Sequence, residues 1–284
     1  MVAAGFVLAC LVLMPVQALV LLLRHPASDA VPQLFFRIVL ALMGARVVVR
    51  GEIARGTPLL VTSNHTSYLD IPVIGSVAPL SFIAKRQVRD WPLFGVLAQL
   101  DRSVFVDRDS RGRAVDDVAQ IKARLAKGET LVLFPEGTSN TGNGVLAFKS
   151  ALIGAVHYRA EGEKAGPPVQ VQPLSVAYTR LHGLPMGRQF RPNFAWYGDM
   201  SLIPHLWRVF GIGPFDVELE FHEPVALDAF PSRKALTSHV QEVVHAGVGA
   251  ALSGRRPEPA RPQAEPEGAR APAVVPPMSP APTA

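Results

Sequence analysis

The chain has 284 residues, which is enough for one domain with a sizeable hydrophobic core and for flanking segments. Hydrophobic residues make up 49% of it and charged residues 18%, which is too apolar for a typical soluble enzyme and too polar for a protein with many membrane spans. The net charge of +5 favours contact with anionic lipids or substrates, while the lack of zinc-finger spacing or a basic heptad helix argues against a nucleic-acid partner. The one cysteine, Cys10, excludes an internal disulfide framework and favours a reducing compartment.

The N-terminal segment is strongly apolar. Residues 1–23 contain no Asp, Glu, Lys, Arg or His, and their length reaches the roughly 20 residues that cross a bilayer as a helix. A signal peptide is a competing interpretation, but the segment lacks a basic start and a clear cleavage site. Pro15 predicts a kink, so the segment can either span the bilayer or dip into its surface.

A second apolar stretch follows at residues 31–43. Arg37 interrupts it, and it is too short to span a bilayer alone. We predict that residues 1–43 form a membrane-associated helical segment that docks on the lipid surface. A helical hairpin buried in the protein core is the alternative.

From residue 44 onward, short runs of β-branched residues alternate with apolar residues at helical spacing. Helices are predicted around residues 114–125, where Gly128 offers a C-cap, and around residues 236–244. The predicted strands are residues 46–50, 59–62, 104–106, 130–134, 169–177 and 216–221.

Strands that alternate with helices are joined by right-handed crossovers and form parallel sheets. We therefore predict an α/β fold over residues 44–253, with a twisted, mostly parallel sheet flanked by helices. Within it, residues 178–207 mix aromatic, proline and basic residues, which favours an irregular packed connection, with a lid as the alternative. Residues 254–284 are rich in proline and alanine and predict a disordered tail.

The first chemically informative segment is residues 64–70 (NHTSYLD), directly after a predicted strand. A carboxylate such as Asp70 can orient a histidine such as His65, so that the imidazole acts as a general base. Residues five apart do not face each other on a regular helix, so the pair needs a turn between them, and Pro72 supports irregular geometry at Ile71. The spacing is equally consistent with purely structural roles, in which Asp70 caps a helix and His65 forms part of a loop.

The second segment is residues 134–140 (FPEGTSN), which also follows a predicted strand. Pro135 ends the strand, Gly137 frees the backbone, and Thr138 and Ser139 offer hydroxyls and amides. Such a loop can cradle an anion or a hydroxyl-bearing acceptor. An ordinary strand-to-helix turn is the alternative.

The third segment is residues 104–109 (VFVDRD), where Arg108 leaves the end of a strand. Arginine suits bidentate binding of phosphate or carboxylate, although a surface ion pair with a neighbouring aspartate is equally consistent. Strand C-termini share one edge of a parallel sheet, where open α/β folds bind ligands. We therefore expect His65, Arg108 and Glu136 to converge there.

These segments, together with Val-Gln-Pro at residues 171–173, stand in the order of the four motifs of glycerolipid acyltransferases. Over roughly residues 45–225 the chain resembles the 1-acylglycerol-3-phosphate acyltransferase family. The resemblance implies that His65 is the catalytic base and that Asp70 is its partner. It also implies a set of substrate-binding residues: Arg108, Glu136, Gly137, Thr138, Pro135, Lys85 and Pro173.

The resemblance further implies an O-acyltransferase that uses acyl-CoA or acyl-carrier protein as donor substrate, with no cofactor and no metal. The expected partners are membrane lipid and a lysolipid acceptor, and the expected location is the cytoplasmic face of a bacterial inner membrane. The leading expectation is a 1-acyl-sn-glycerol-3-phosphate O-acyltransferase that forms phosphatidic acid in phospholipid biosynthesis.

One departure from the family pattern favours another acceptor. Many phosphatidate-forming members carry arginine after the Gly-Thr of the third motif, where this chain has Ser139. The run of residues 134–152, which includes Lys149, resembles bacterial lyso-ornithine lipid O-acyltransferases, which act in ornithine lipid synthesis. A lysolipid hydrolase and a non-catalytic lipid-binding protein on the same fold are less favoured functions for these motifs.

Overall fold

The computed structural model of the protein describes residues 1–56, 58–107, 114–151, 153, 169–226 and 229–254. The helices are α1 Val2–Leu22, α2 Ala30–Leu42, α3 Asp70–Gly75, α4 Phe94–Leu100, α5 Ala114–Leu125, α6 Leu202–Gly211 and α7 Arg233–Leu252. The strands are β1 Ala45–Arg50, β2 Leu59–Ser63, β3 Ser81–Lys85, β4 Val104–Val106, β5 Thr130–Leu133, β6 Gln170–Leu181, β7 Leu184–Pro185, β8 Phe215–Phe221 and β9 Val225–Ala226.

The main sheet has the strand order β1-β8-β6-β2-β5-β3-β4. Its neighbours pair in parallel, except that β6 and β8 run antiparallel, and the short strands β7 and β9 also pair antiparallel with β6. The predicted mostly parallel sheet flanked by helices is therefore confirmed. In its centre Val61 of β2 lies opposite Val132 of β5 and Gln172 of β6, which brings the ends of β2 and β5 to the same edge.

The two faces of the sheet carry separate hydrophobic cores. Leu59 and Val61 point to one face, which α1, α2, α3 and α6 cover, and Leu60 points to the other, which α5 and α7 cover. This alternation follows from the two-residue period of a strand, and the cover on both faces explains why every residue of β2 is buried.

The predicted N-terminal helices form, and α1 packs along the domain over much of its length. Near its start, the ring of Phe6 lies 6.1 Å from that of Phe35 in α2. Near its end, the side-chain amide of Gln17 donates to the carbonyl oxygens of Ser28, at 2.8 Å, and Leu100, at 2.9 Å. Among the described helices, α1 is the one that is long and apolar enough to cross a membrane, by length and composition.

Some elements differ from the sequence-based predictions. The prediction that Pro72 takes Ile71 out of helical geometry is wrong, because Pro72 lies in the first turn of α3, where its missing N–H removes no helical hydrogen bond. Residues 178–207, predicted to be an irregular connection, contain the end of β6 and the start of α6. The predicted tail lies outside the described residues apart from Gly254, and the domain boundaries stay predictions.

Candidate active site

His65 and Asp70 are brought together by the turn that follows β2. Residues 64–69 form no regular helix, and α3 begins only at Asp70, so the two side chains fold back onto each other. The imidazole Nδ1 lies 2.9 Å from Oδ2 of Asp70. This is the turn that the spacing of the two residues requires.

Asp70 is fully buried and collects several hydrogen bonds. Its Oδ2 accepts from the backbone N–H groups of Thr66, at 2.7 Å, and Ser67, at 3.0 Å. Its Oδ1 accepts from the hydroxyl of Tyr178 at 2.9 Å. A carboxylate held in this way accepts the Nδ1 proton of His65, which leaves Nε2 as the basic nitrogen of the ring.

The imidazole of His65 lies between the core and a cavity. It stacks on Phe134, with ring centroids 4.1 Å apart and an interplanar angle of 22°, and 22% of its side chain is exposed. Phe134 is the first residue after β5, so the segment of residues 134–140 supplies one wall of the imidazole site. The ring is therefore fixed by packing on one side and by Asp70 on another.

Glu136 fixes the backbone of His65 rather than its ring. Its Oε1 accepts from the N–H of His65 at 2.9 Å, and its Oε2 accepts from Nδ2 of Asn140, at 2.8 Å, and from the N–H of Leu146, at 3.2 Å. The N–H of Asn140 in turn donates to the carbonyl oxygen of His65 at 3.0 Å. Burial raises the pKa of Glu136 to about 7.

His65 opens onto a cavity of about 640 Å³, a volume typical of small-molecule sites. Most of its wall is apolar and comes from α1, α2, α4 and α6, which reach it through residues such as Phe6, Phe35, Leu97 and Phe210. Polar side chains and the loop after β5 also line it: His65, Lys85, Gly137, Thr138, Ser139 and Lys149. The cavity therefore joins a candidate general base to a space suited to a hydrocarbon chain.

Comparison with known proteins agrees with this geometry. A family model described as Acyltransferase matches residues 46–176. The lyso-ornithine lipid O-acyltransferase of Brucella abortus (strain 2308) is 47% identical over 255 residues, which cover 90% of this chain and 95% of that protein. The chain belongs to the acyltransferase family.

Two relatives that are named for a 1-acyl-sn-glycerophosphate acceptor are more distant from this acyltransferase. The 1-acyl-sn-glycerol-3-phosphate acyltransferase of Neisseria gonorrhoeae is 31% identical over 69% of this chain and 74% of its own length. The crystal structure of the 1-acyl-sn-glycerophosphate acyltransferase of Thermotoga maritima matches with a TM-score of 0.63 at 27% identity, covering 90% of this chain and 96% of that one. The predicted family and the prediction of an O-acyltransferase are thus confirmed, and the chain is a lysolipid acyltransferase.

The predicted substrate-binding residues of the acyltransferase fall into three groups. Gly137, Thr138 and Lys85 line the cavity together with His65. Pro135 and Glu136 are buried beneath the loop, and the cavity wall that the structure describes does not include them. Their role in substrate binding stays a prediction.

Pro173 and Arg108 make up the third group. Pro173 lies inside β6 opposite Thr62, between the stretches of β6 that pair with β8 and β9, and its carbonyl oxygen accepts from the N–H of His222 at 3.0 Å. A proline fits there because its missing N–H falls in the gap between two antiparallel partners. Arg108 lies outside the described residues, so its predicted place beside His65 stays a prediction.

Sequence reasoning missed three residues that shape this site. Tyr178 donates to Asp70, and the side-chain amide of Asn64 exchanges hydrogen bonds of 2.9 and 2.8 Å with the backbone of Val176. The N–H of Trp196 donates to the carbonyl oxygen of Thr66 at 3.0 Å. Each contact joins residues more than 100 positions apart, so no local spacing could have revealed it.

Proposed function

We propose that this acyltransferase is a lyso-ornithine lipid O-acyltransferase, which moves a fatty acyl group from a thioester donor to the hydroxyl of a lyso-ornithine lipid. The observation that carries the acceptor is the 47% identity to the Brucella abortus enzyme across nearly the whole chain, against 31% to the Neisseria gonorrhoeae enzyme. These comparisons support the alternative drawn from the sequence better than the leading expectation of 1-acyl-sn-glycerol-3-phosphate as acceptor.

The contacts of Ser139 support the same acceptor. Its hydroxyl donates to the carbonyl oxygen of Trp196, so this position ties two loops together instead of presenting an arginine. The Trp196 ring lines the cavity and lies in edge-on contact with Tyr68, at 6.0 Å, and Trp91, at 5.5 Å. An aromatic wall suits the primary ammonium of an ornithine head group through cation–π attraction, and Ser139 adds no positive charge for a phosphomonoester.

The reaction follows from the geometry of His65. Nε2 of His65 takes the proton of the acceptor hydroxyl while the hydroxyl oxygen attacks the thioester carbonyl carbon. Asp70 stabilises the imidazolium that forms. When the tetrahedral intermediate collapses, the C–S bond breaks and the imidazolium returns the proton to the departing thiolate. The products are an ester and the free thiol of the donor, coenzyme A or acyl-carrier protein.

The surrounding structure supports transfer at a lipid surface. The cavity beside His65 has the apolar walls that an acyl chain needs to leave water. The outer face of α1 is apolar and exposed, which suits docking on the bilayer in which lysolipid is dissolved. Since both thioester donors are cytoplasmic molecules, we place the enzyme on the cytoplasmic face of the membrane.

A paired acceptor assay on the purified full-length protein tests this function. One reaction contains lyso-ornithine lipid and the other 1-acyl-sn-glycerol-3-phosphate, each with acyl-CoA or acyl-carrier protein. We expect turnover of lyso-ornithine lipid at least about tenfold above that of the phosphate acceptor, because a site built for one polar head group leaves another incompletely paired. Equal or faster turnover of the phosphate acceptor would contradict the proposed acceptor.

Two variants test the proposed base and the proposed acceptor separately. His65→Ala should lower turnover of either acceptor by about 10³-fold or more because it removes the base, and a cooperative thermal unfolding transition checks that the variant is folded. Ser139→Arg should weaken turnover of lyso-ornithine lipid, because the larger side chain breaks the contact with Trp196. Unchanged turnover by His65→Ala would remove the proposed base whatever the acceptor is.

A further inference from the structure

Helix α6 exposes two large apolar side chains on its outer face. Ile203 is 67% exposed and Trp207 is 71% exposed, and their spacing of four residues places them one above the other on the helix. The opposite face is packed into the protein, where His205 and Val209 are buried. The large apolar ring of Trp207 is therefore outside the core and is available to contact another surface.

Helix α6 packs against α1, so the outer faces of the two helices lie side by side. The contact is on the inner sides of the helices, where the ring centroid of Phe210 lies 5.6 Å from that of Phe6. The face of α1 that points away from the protein carries apolar side chains: Val7, Leu8, Leu11, Val12, Val16, Leu19, Leu22 and Leu23. The two helices therefore present adjoining apolar surfaces, and the patch is larger than α1 alone provides.

The orientation of α1 relative to the domain determines whether its outer side can form one surface with α6. Phe6 contacts the domain through Phe35 and Phe210, and Gln17 contacts it through Ser28 and Leu100. These anchor points are roughly 16 Å apart along the helix axis at 1.5 Å per residue. A helix held at both ends lies along the domain, so its outer side forms a face beside α6.

We propose that α6 is a membrane-docking element of its own, with Ile203 and Trp207 entering the interfacial layer of a bilayer beside the outer face of α1. Tryptophan is the side chain that prefers this layer, since its ring is apolar and its N–H is polar. Residues 200–213 contain no acidic side chain, and the exposed Arg208 follows Trp207 directly. An anionic lipid surface therefore complements the charge of the patch.

Docking through α6 would also place the cavity at the membrane. Leu206 and Phe210, on the inner side of α6, line the cavity that contains His65. A lipid that enters beside α6 would reach His65 without passing through water. The inference does not depend on which lysolipid the enzyme accepts.

Fluorescence of Trp207 tests the docking directly. The chain has three tryptophans, so replacement of the other two isolates the emission of Trp207. In the full-length Trp91→Phe/Trp196→Phe variant, Trp207 is the only source of indole emission. We expect a blue shift and quenching by lipids brominated near the head of the acyl chain when vesicles of phosphatidylcholine and phosphatidylglycerol are added. Emission that is unchanged by vesicles would overturn the proposal. A blue shift that depends on protein concentration without lipid would also overturn it, because a second copy would then cover this face.

Vesicle flotation at limiting lipid gives an independent measurement. Ile203→Asp/Trp207→Asp should reduce the bound fraction per unit lipid about tenfold or more, because it replaces two inserted apolar groups with charges. Val49→Asp, at an exposed apolar site on the outer strand β1, is the matched control and should bind as the wild type does. Both variants should keep the wild-type melting temperature. Equal binding by the double variant and the control would show that α6 does not contact lipid.

Discussion

The turns after β2 and β5 lie side by side and are built on the same plan, but they act on different parts of His65. Each contains one buried carboxylate, Asp70 in one and Glu136 in the other, that accepts hydrogen bonds from several chain groups. Asp70 reaches the imidazole ring, at 2.9 Å from Nδ1, whereas Glu136 reaches the backbone N–H of the same residue, also at 2.9 Å.

This difference separates two tasks that His65 requires in its proposed role as general base. Contact with the ring determines which nitrogen carries the proton and stabilises the charge that forms during the reaction. Contact with the backbone determines where the whole residue stands relative to the cavity, which affects the reaction only through position. Asp70 should therefore influence the chemical step strongly, and Glu136 should influence stability and, to a smaller degree, rate.

Among the residues that surround His65, the largest expected effect comes from Asp70→Asn. The amide oxygen can still accept from Thr66, Ser67 and His65, so the turn survives, but the negative charge that stabilises the imidazolium is lost. We expect kcat to fall about 10²- to 10³-fold with KM changed less than about threefold. Steady-state kinetics at several acceptor concentrations measure the two parameters separately. A rise in KM at constant kcat would show that Asp70 only caps the turn.

The sequence made part of this arrangement predictable. Short β-branched runs revealed β2 and β5, and the shared edge of parallel strands placed His65 and Glu136 together. The orientation of Glu136 toward the backbone could not be predicted, because a motif gives the identity of a side chain and not its direction. The role of Tyr178 could not be predicted, because its partner Asp70 is 108 residues away and the two meet only in the folded protein.

Helix α6 was missed for a local reason. Pro204 in its first turn interrupts the apolar pattern, although a proline is tolerated there because the first N–H groups of a helix need no helical partner. Strand β3 was missed because the polar Ser81 and Lys85 at its ends leave only three apolar residues between them, and only Ile83 of these is β-branched. Such elements depend on packing against neighbouring elements for their stability, and a single sequence does not show which elements become neighbours in the fold.

Glu136→Gln should have an intermediate effect on rate and a distinct effect on stability. One amide oxygen cannot accept from His65, Asn140 and Leu146 in the geometry that two carboxylate oxygens allow. We expect kcat/KM to fall about tenfold through displacement of His65. A change in the acceptor preference measured with the paired assay would instead indicate that Glu136 contacts the head group.

The pH dependence of unfolding tests the environment of Glu136. Burial raises its pKa from 4.5 to about 7 in the folded protein, so the folded state holds the proton more tightly than the unfolded state does. Its contribution to stability is complete below about pH 4.5 and is lost as the pH rises through about 7. Relative to Glu136→Gln, the wild type should lose on the order of 3 kcal/mol at most over this range, measured by urea unfolding. The exposed Glu223→Gln variant is the control, and it should follow the wild-type curve.

Tyr178→Phe should give the smallest effect on rate, because it touches His65 only through Asp70. Burial raises the pKa of the Tyr178 phenol well above its ordinary value, so the hydroxyl donates to Oδ1 of Asp70 at any working pH. Removing it leaves one carboxylate oxygen without this donor, which should lower the unfolding free energy by about 1–2 kcal/mol and kcat by roughly threefold. Tyr197→Phe, which removes the same hydroxyl from a half-buried ring, is the matched control and should change neither quantity. A loss of kcat as large as that of Asp70→Asn would mean that Tyr178 takes part in the proton transfer rather than only holding the carboxylate in place.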